Sequence, residues 1–137
     1  MRRFQFLANP TMFNDPDAFV GHIGRVNGKK ELCRELSLHL QLPDYFGCNW
    51  DALEECLCDF HWVSQFKVIL IHDDMFELET KDFHLYIKIL LYALNSWKNG
   101  DPHQLEVIFP SKYENILHPY EEKYLKVVEE SIKNGFW

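Results

Sequence analysis

Phe66-Lys67-Val68-Ile69-Leu70-Ile71-His72 is the stretch that most limits what this chain can become. A strand with one wet face alternates apolar and polar residues, whereas this run is apolar almost without a break. It needs cover on both faces, which means a central place in a sheet. Helical patterns flank it. Lys29 to Leu40 carries Leu32, Cys33, Leu36 and Leu40 on one stripe, and Asp82 to Asn99 carries Phe83, Ile87, Leu90, Leu91, Leu94 and Trp97. Gly100 is placed to end the second of these. Gln104 to Phe109 reads as the last strand. Arg3 to Ala8 and Ala18 to Val26 read as two early ones, the second weakened by Gly21 and Gly24. Strands alternating with helices predict an α/β fold with a parallel sheet, and right-handed crossovers put the helices on one face. The first strand either pairs with the second as a hairpin or adds an edge. Ser111-Lys112-Tyr113-Glu114 fits a capping box. Pro119 suits the first turn of a final helix reaching about Asn134, with Tyr120, Tyr124, Leu125, Val128 and Ile132 on one side. A length of 137 residues fits one domain, 1–137, with a real core.

Between the first helix and the central strand lies a rigid turn followed by a short helix. Pro43 and Gly47 bracket a loop that holds Tyr45 and Phe46. Asn49 is a good N-cap, since its side-chain oxygen accepts from the free amides of a first turn. Leu53, Cys56, Leu57 and Phe60 then recur at the spacing of one buried stripe. Asp51, Glu55, Cys58 and Asp59 fall on the opposite side, with Glu54 at its edge. Asp51–Glu55 and Glu55–Asp59 are like-charge i,i+4 pairs, each costing about 0.2–0.5 kcal/mol. The dipole favours Asp51 in the first turn and disfavours the two acids further on. Such a face is either a solvated surface or a negative ridge shown to a positive partner.

The run Leu42-Pro43-Asp44-Tyr45-Phe46-Gly47-Cys48-Asn49-Trp50-Asp51-Ala52-Leu53, with Glu55 two positions on, resembles the signature of the barstar family, the intracellular inhibitors of barnase-type ribonucleases. Identities are dense over 42–57; elsewhere the likeness is one of element order. The resemblance implies a small parallel three-stranded sheet with helices packed on it. The first strand and the last helix are then additions, an N-terminal edge strand and a C-terminal helix. It also implies a partner-binding set of Tyr45, Gly47, Asn49, Trp50, Asp51, Glu54, Glu55 and Asp59. Asp51 and Glu55 match the two principal acidic contacts, the second usually an aspartate in the family. Tyr45 matches an aromatic residue that packs against the partner's catalytic histidine. Glu54 and Asp59-Phe60 stand where the type member has aromatic and glycine residues. A glutamate of the helix before the last strand has its nearest counterparts in Asn95 and Asn99.

A net charge of −7 suits a basic protein partner and not direct binding of nucleic acid. No apolar stretch reaches the length of a membrane span. Met1-Arg2-Arg3 leads into a polar-interrupted run, unlike the apolar core of a secretory signal. These features lead us to expect a reduced, cytoplasmic protein, with Cys33 and Cys56 in the core and Cys58 on the surface. No cofactor is expected.

Three functions compete. The first is a non-enzymatic 1:1 inhibitor of a basic secreted or toxin ribonuclease, an immunity protein. The second is an interaction module on the same scaffold with a partner that is not a ribonuclease. The third is a small hydrolase or metal protein built on His72-Asp73-Asp74 at the end of the central strand. Cys56-x-Cys58-x-x-His61 is a poor metal motif, because i and i+2 on a helix point about 200° apart. His22, His39, His84, His103 and His118 show no ligand spacing. The sequence leaves the oligomeric state open, and with it whether the last helix packs on its own chain, where Trp50, Trp97 and Trp137 could serve.

Overall fold

The run at the centre of the sequence is also the centre of the sheet. The computed structural model describes residues 1–135, so Trp137 lies outside the described residues. Its strands are β1 (Gln5–Leu7), β2 (Phe19–Ile23), β3 (Lys67–His72) and β4 (Gln104–Pro110), and its helices α1 (Lys29–His39), α2 (Trp50–Leu57), α3 (Thr80–Ser96) and α4 (Glu114–Lys133). The sheet is parallel throughout, in the order β1-β4-β3-β2. The first strand is therefore an added edge beside β4, and the hairpin alternative is excluded.

Side chains of β3 part by the period of two. Val68 and Leu70 join the main core beneath the helices, whereas Ile69 and Ile71 join a second cluster on the reverse face with Ala18 and Ile108. The β1–β2 connection, with its single 3-10 turn Pro10–Met12, crosses that reverse face and brings Phe13 onto it. This is why the strand reads as apolar on both sides. Gly21 has a positive role in β2: a Cβ there would stand 2.9 Å from the His39 carbonyl oxygen and from Leu40 Cδ2. The end of α1 packs directly on the strand backbone, and only glycine leaves the room.

Four local expectations are corrected. The helix α3 stops at Ser96, and Gly100, at φ +95°, belongs to the following turn and not to its cap. Trp97 turns inward there and donates its indole N–H to the Leu57 carbonyl at 3.0 Å. No capping box forms at Ser111; Ser111–Tyr113 make a 3-10 turn that runs straight into α4, and Pro119 lies inside that helix. Ile132 is exposed, because the last turn of α4 projects past the body it packs on. The helix itself packs on α3 of its own chain through Leu117, Leu125 and Val128.

Two buried polar links tie distant elements. The Glu121 carboxylate, 2% exposed, accepts from the Phe4 amide at 2.7 Å and fixes β1 to α4. His72, 1% exposed, is held between the Ile108 carbonyl at 3.1 Å and the Tyr86 hydroxyl at 2.7 Å. Burial lowers its pKa to about 4 from 6.5. The unfolded chain thus takes up a proton below about pH 6.5 that the folded chain refuses until about pH 4. Stability from this group is complete above the higher value and is lost on descending to the lower, a change of about 3 kcal/mol. Urea unfolding across that window is expected to show the loss, and His72→Gln to remove its share of the slope.

Candidate functional site

Residues 43–49 and α2 build one exposed face. Pro43 starts a 3-10 turn, Asp44–Phe46, whose Phe46 is buried and anchors the loop. Gly47, at φ +58°, reverses the chain in a conformation that glycine takes without strain. Asn49 then caps α2 as expected, its side-chain oxygen accepting from Asp51 N at 2.8 Å and Ala52 N at 3.4 Å. Asn49→Ala should cost about 1 kcal/mol in thermal or urea unfolding. The inner stripe Leu53, Cys56 and Leu57 is buried.

On the outer side, Asp51 and Glu55 are exposed one turn apart. Among the described residues neither carboxylate has a salt bridge or a side-chain hydrogen bond, so the two charges repel without relief. Tyr45, in the 3-10 turn that leads to the helix, is 57% exposed.

The other site residues are committed in ways the periodicity did not show. Trp50 is half-buried, donates to Asp82 on α3 at 3.1 Å, and lies under the Lys29 ammonium at 5.1 Å. It forms the hinge between α1, α2 and α3. Glu54 turns toward α3, where burial first, and then Asp51, push its carboxyl up against the pull of Lys88. Asp59 is not on the helix at all. The helix ends at Leu57, and Phe60, at φ +49°, swings into the core, so Asp59 sits in a turn with its carboxylate on His61 Nδ1 at 2.6 Å. The Glu55–Asp59 pair is therefore not an i,i+4 helical pair.

The cysteines differ most from expectation. Cys33 and Cys56 are in the core, but Cys33 is bonded to Cys48, so the chain is not fully reduced. Cysteine spacing alone cannot fix such a pairing. Cys58 is half-buried against Ser96, and burial raises its pKa. With Cys56 in the core and His61 on Asp59, the Cys-x-Cys-x-x-His run converges on no common point. Lys30 and Arg34, exposed at i,i+4 on α1, face the loop across a groove.

The strand-end acids are likewise occupied. Asp73 pairs with His22 at 2.7 Å, and Asp74 accepts from the Tyr113 hydroxyl at 2.7 Å, which with the Met75 amide lowers its pKa. His118, Glu121 and Glu122 do come within ligand distance of one another on α4. Arg3 already pairs with both acids, 3.6 Å from Glu121 and hydrogen-bonded to Glu122. Asn95, one counterpart of the family's outlying glutamate, holds the N-terminal segment instead, accepting from Arg2 N at 2.6 Å.

A family model described as Barstar (barnase inhibitor) matches residues 18–110. The match spans β2 to β4 with the loop and α2, and leaves β1 and α4 outside it. Comparison with curated proteins and with solved structures gave no significant match.

Proposed function

The chain belongs to the barstar family, and from that premise we propose that it is an intracellular inhibitor of a barnase-type ribonuclease, acting as an immunity protein rather than an enzyme. The observation that carries the reading is the unrelieved pair Asp51 and Glu55 on the face that also exposes Tyr45. A ribonuclease must hold a phosphodiester, so its groove is lined with cations. Carboxylates can stand in for phosphate there, accepting charge-assisted hydrogen bonds from arginine. Repulsion that costs stability in the free inhibitor becomes attraction in the complex. Tyr45 supplies the aromatic anchor at the centre of the contact, a residue type enriched at hot spots. Gly47 lets the partner approach the backbone, Asn49 holds the first turn, and Trp50, Glu54 and Asp59 flank the contact. A net charge of −7 steers a basic partner to this face, and added salt slows that encounter.

The test is an RNA-cleavage assay with a barnase-type ribonuclease. Titrating in this protein should abolish activity at one equivalent, with no RNA bound by the inhibitor itself. Asn95 favours a second reading, in which the scaffold serves a partner that is not a ribonuclease. Its amide is spent on the N-terminal segment, where the family places a charge for the nuclease. Capture of a non-nuclease partner, with RNA cleavage untouched, would decide for that reading.

A further inference from the structure

We propose that the Cys33–Cys48 bond is a thiol-exchange lock on the binding loop, opened by a dithiol reductant, and that the opened protein keeps its fold but binds its partner more weakly. The second half of this rests on the reading of 43–59 as the binding face.

The bond is placed where it governs the loop and little else. Cys33 lies on α1 at the core, 6% exposed, and Cys48 is half-buried immediately before the cap Asn49. Cys48 holds φ +53° directly after Gly47 at φ +58°. A non-glycine residue in that region is strained and persists only where its surroundings hold it. The sulfur link to α1 is such a restraint. Otherwise the loop is tied by the Leu42 amide to the Ser37 carbonyl at 3.1 Å and by buried Phe46. Once Cys48 is released, its backbone can relax toward negative φ, which shifts Gly47 and Tyr45 and disturbs the approach to the cap.

The bond is also reachable. It lies on an open groove of about 530 Å³ bordered by Lys30 and Arg34 on one side and the loop on the other. Cationic neighbours favour a departing thiolate and attract anionic reductants. In the opening step a thiolate of the dithiol attacks Cys48 Sγ. The sulfur–sulfur bond breaks, and Cys33 leaves with the electron pair and takes a proton. The second thiol of the reductant loses its proton and attacks the mixed disulfide, releasing Cys48 as thiolate. The two electrons come from the dithiol, which ends as a cyclic disulfide. Cys56 and Cys58 stay out of this exchange, since burial raises both thiols and leaves little thiolate.

The full-length protein, oxidised or treated with dithiothreitol, is compared by amide hydrogen exchange and by affinity for a cysteine-free barnase-type ribonuclease. Reduction should speed exchange at 44–49 by about tenfold while β3 and β4 keep their protection. The dissociation constant should rise by about tenfold, the loss of preorganisation. Cys48→Ser should match the reduced protein and not respond to dithiothreitol. Unchanged exchange at 44–49 overturns the lock, as does a parallel loss of protection in β3 and β4, which would make the bond a staple of the whole fold. If the ribonuclease binds neither state, the ribonuclease reading fails, and the lock is decided by the exchange at 44–49 alone.

Discussion

Asp51→Ala is expected to weaken the complex with a barnase-type ribonuclease by about 2–5 kcal/mol, or about 30- to 5,000-fold in dissociation constant. Glu55→Ala should fall in the same range. On the proposed reading each carboxylate meets a cation away from water, and truncation would strand that cation in the interface, the source of most of the loss. The free protein gives the control. Both groups are exposed and without an ion pair among the described residues, so neither variant loses a packing contact. Removing Glu55 deletes a like-charge neighbour of Asp51 and an acid from the helix's C-terminal half. Its unfolding free energy should therefore rise by a few tenths of a kcal/mol, about 0.2–0.5. Opposite signs in stability and binding identify a functional acid; a fall in both would mean that α2 is supported in a way not described above. Glu55→Asp asks a narrower question, since it restores the family's usual residue and shortens the reach by one methylene.

Phe109→Ala is expected to destabilise the fold by about 3–5 kcal/mol. The side chain is fully buried at the end of β4, its ring centre 4.1 Å from that of His72, 4.9 Å from Phe4 and 6.1 Å from Phe76. It is where β1, β3 and β4 meet under the helices, and no neighbour is free to collapse into the space. Urea unfolding measures the loss directly. Phe109 is on β4 and the proposed binding face is on α2 and its loop, so the fraction that remains folded should bind with unchanged affinity. A loss under about 1 kcal/mol would mean that the aromatic cluster repacks, contrary to the density expected of a core.

What could be read in advance was local or periodic. The unbroken apolar run of β3 announced a strand covered on both faces, and Phe13 and Ala18 of the β1–β2 connection cover Ile69 and Ile71 on the reverse face. Asn49 announced a cap because a cap needs only its own next three residues. The fold class followed from element order, and so did the last helix outside the family match, whereas element order left the first strand open between a hairpin and an edge. The pairs that escaped notice join positions far apart in the chain: Glu121 with Phe4, His72 with Tyr86, Asn95 with Arg2, Cys33 with Cys48. Each exists only once the sheet and helices are in place, and no window of sequence contains both partners with a spacing that signals them. The stretch 43–60 folds as a loop and a short helix, but helical spacing misjudged the surface it makes. Helical spacing placed Asp59 beside Glu55, whereas the inward pull of Phe60 ends the helix first and gives Asp59 to His61. Glu54 and Trp50 turned to α3 for a similar reason, since apolar and hydrogen-bonding neighbours outweigh the helical wheel.

The central claim is that this face occupies the active site of a ribonuclease. The most direct measurement is a calorimetric titration of a barnase-type ribonuclease with this protein, repeated with a nucleotide substrate analogue filling the enzyme's site. A 1:1 complex whose apparent affinity falls in proportion to nucleotide occupancy is the predicted result. A complex indifferent to the nucleotide, or none at all, would contradict it.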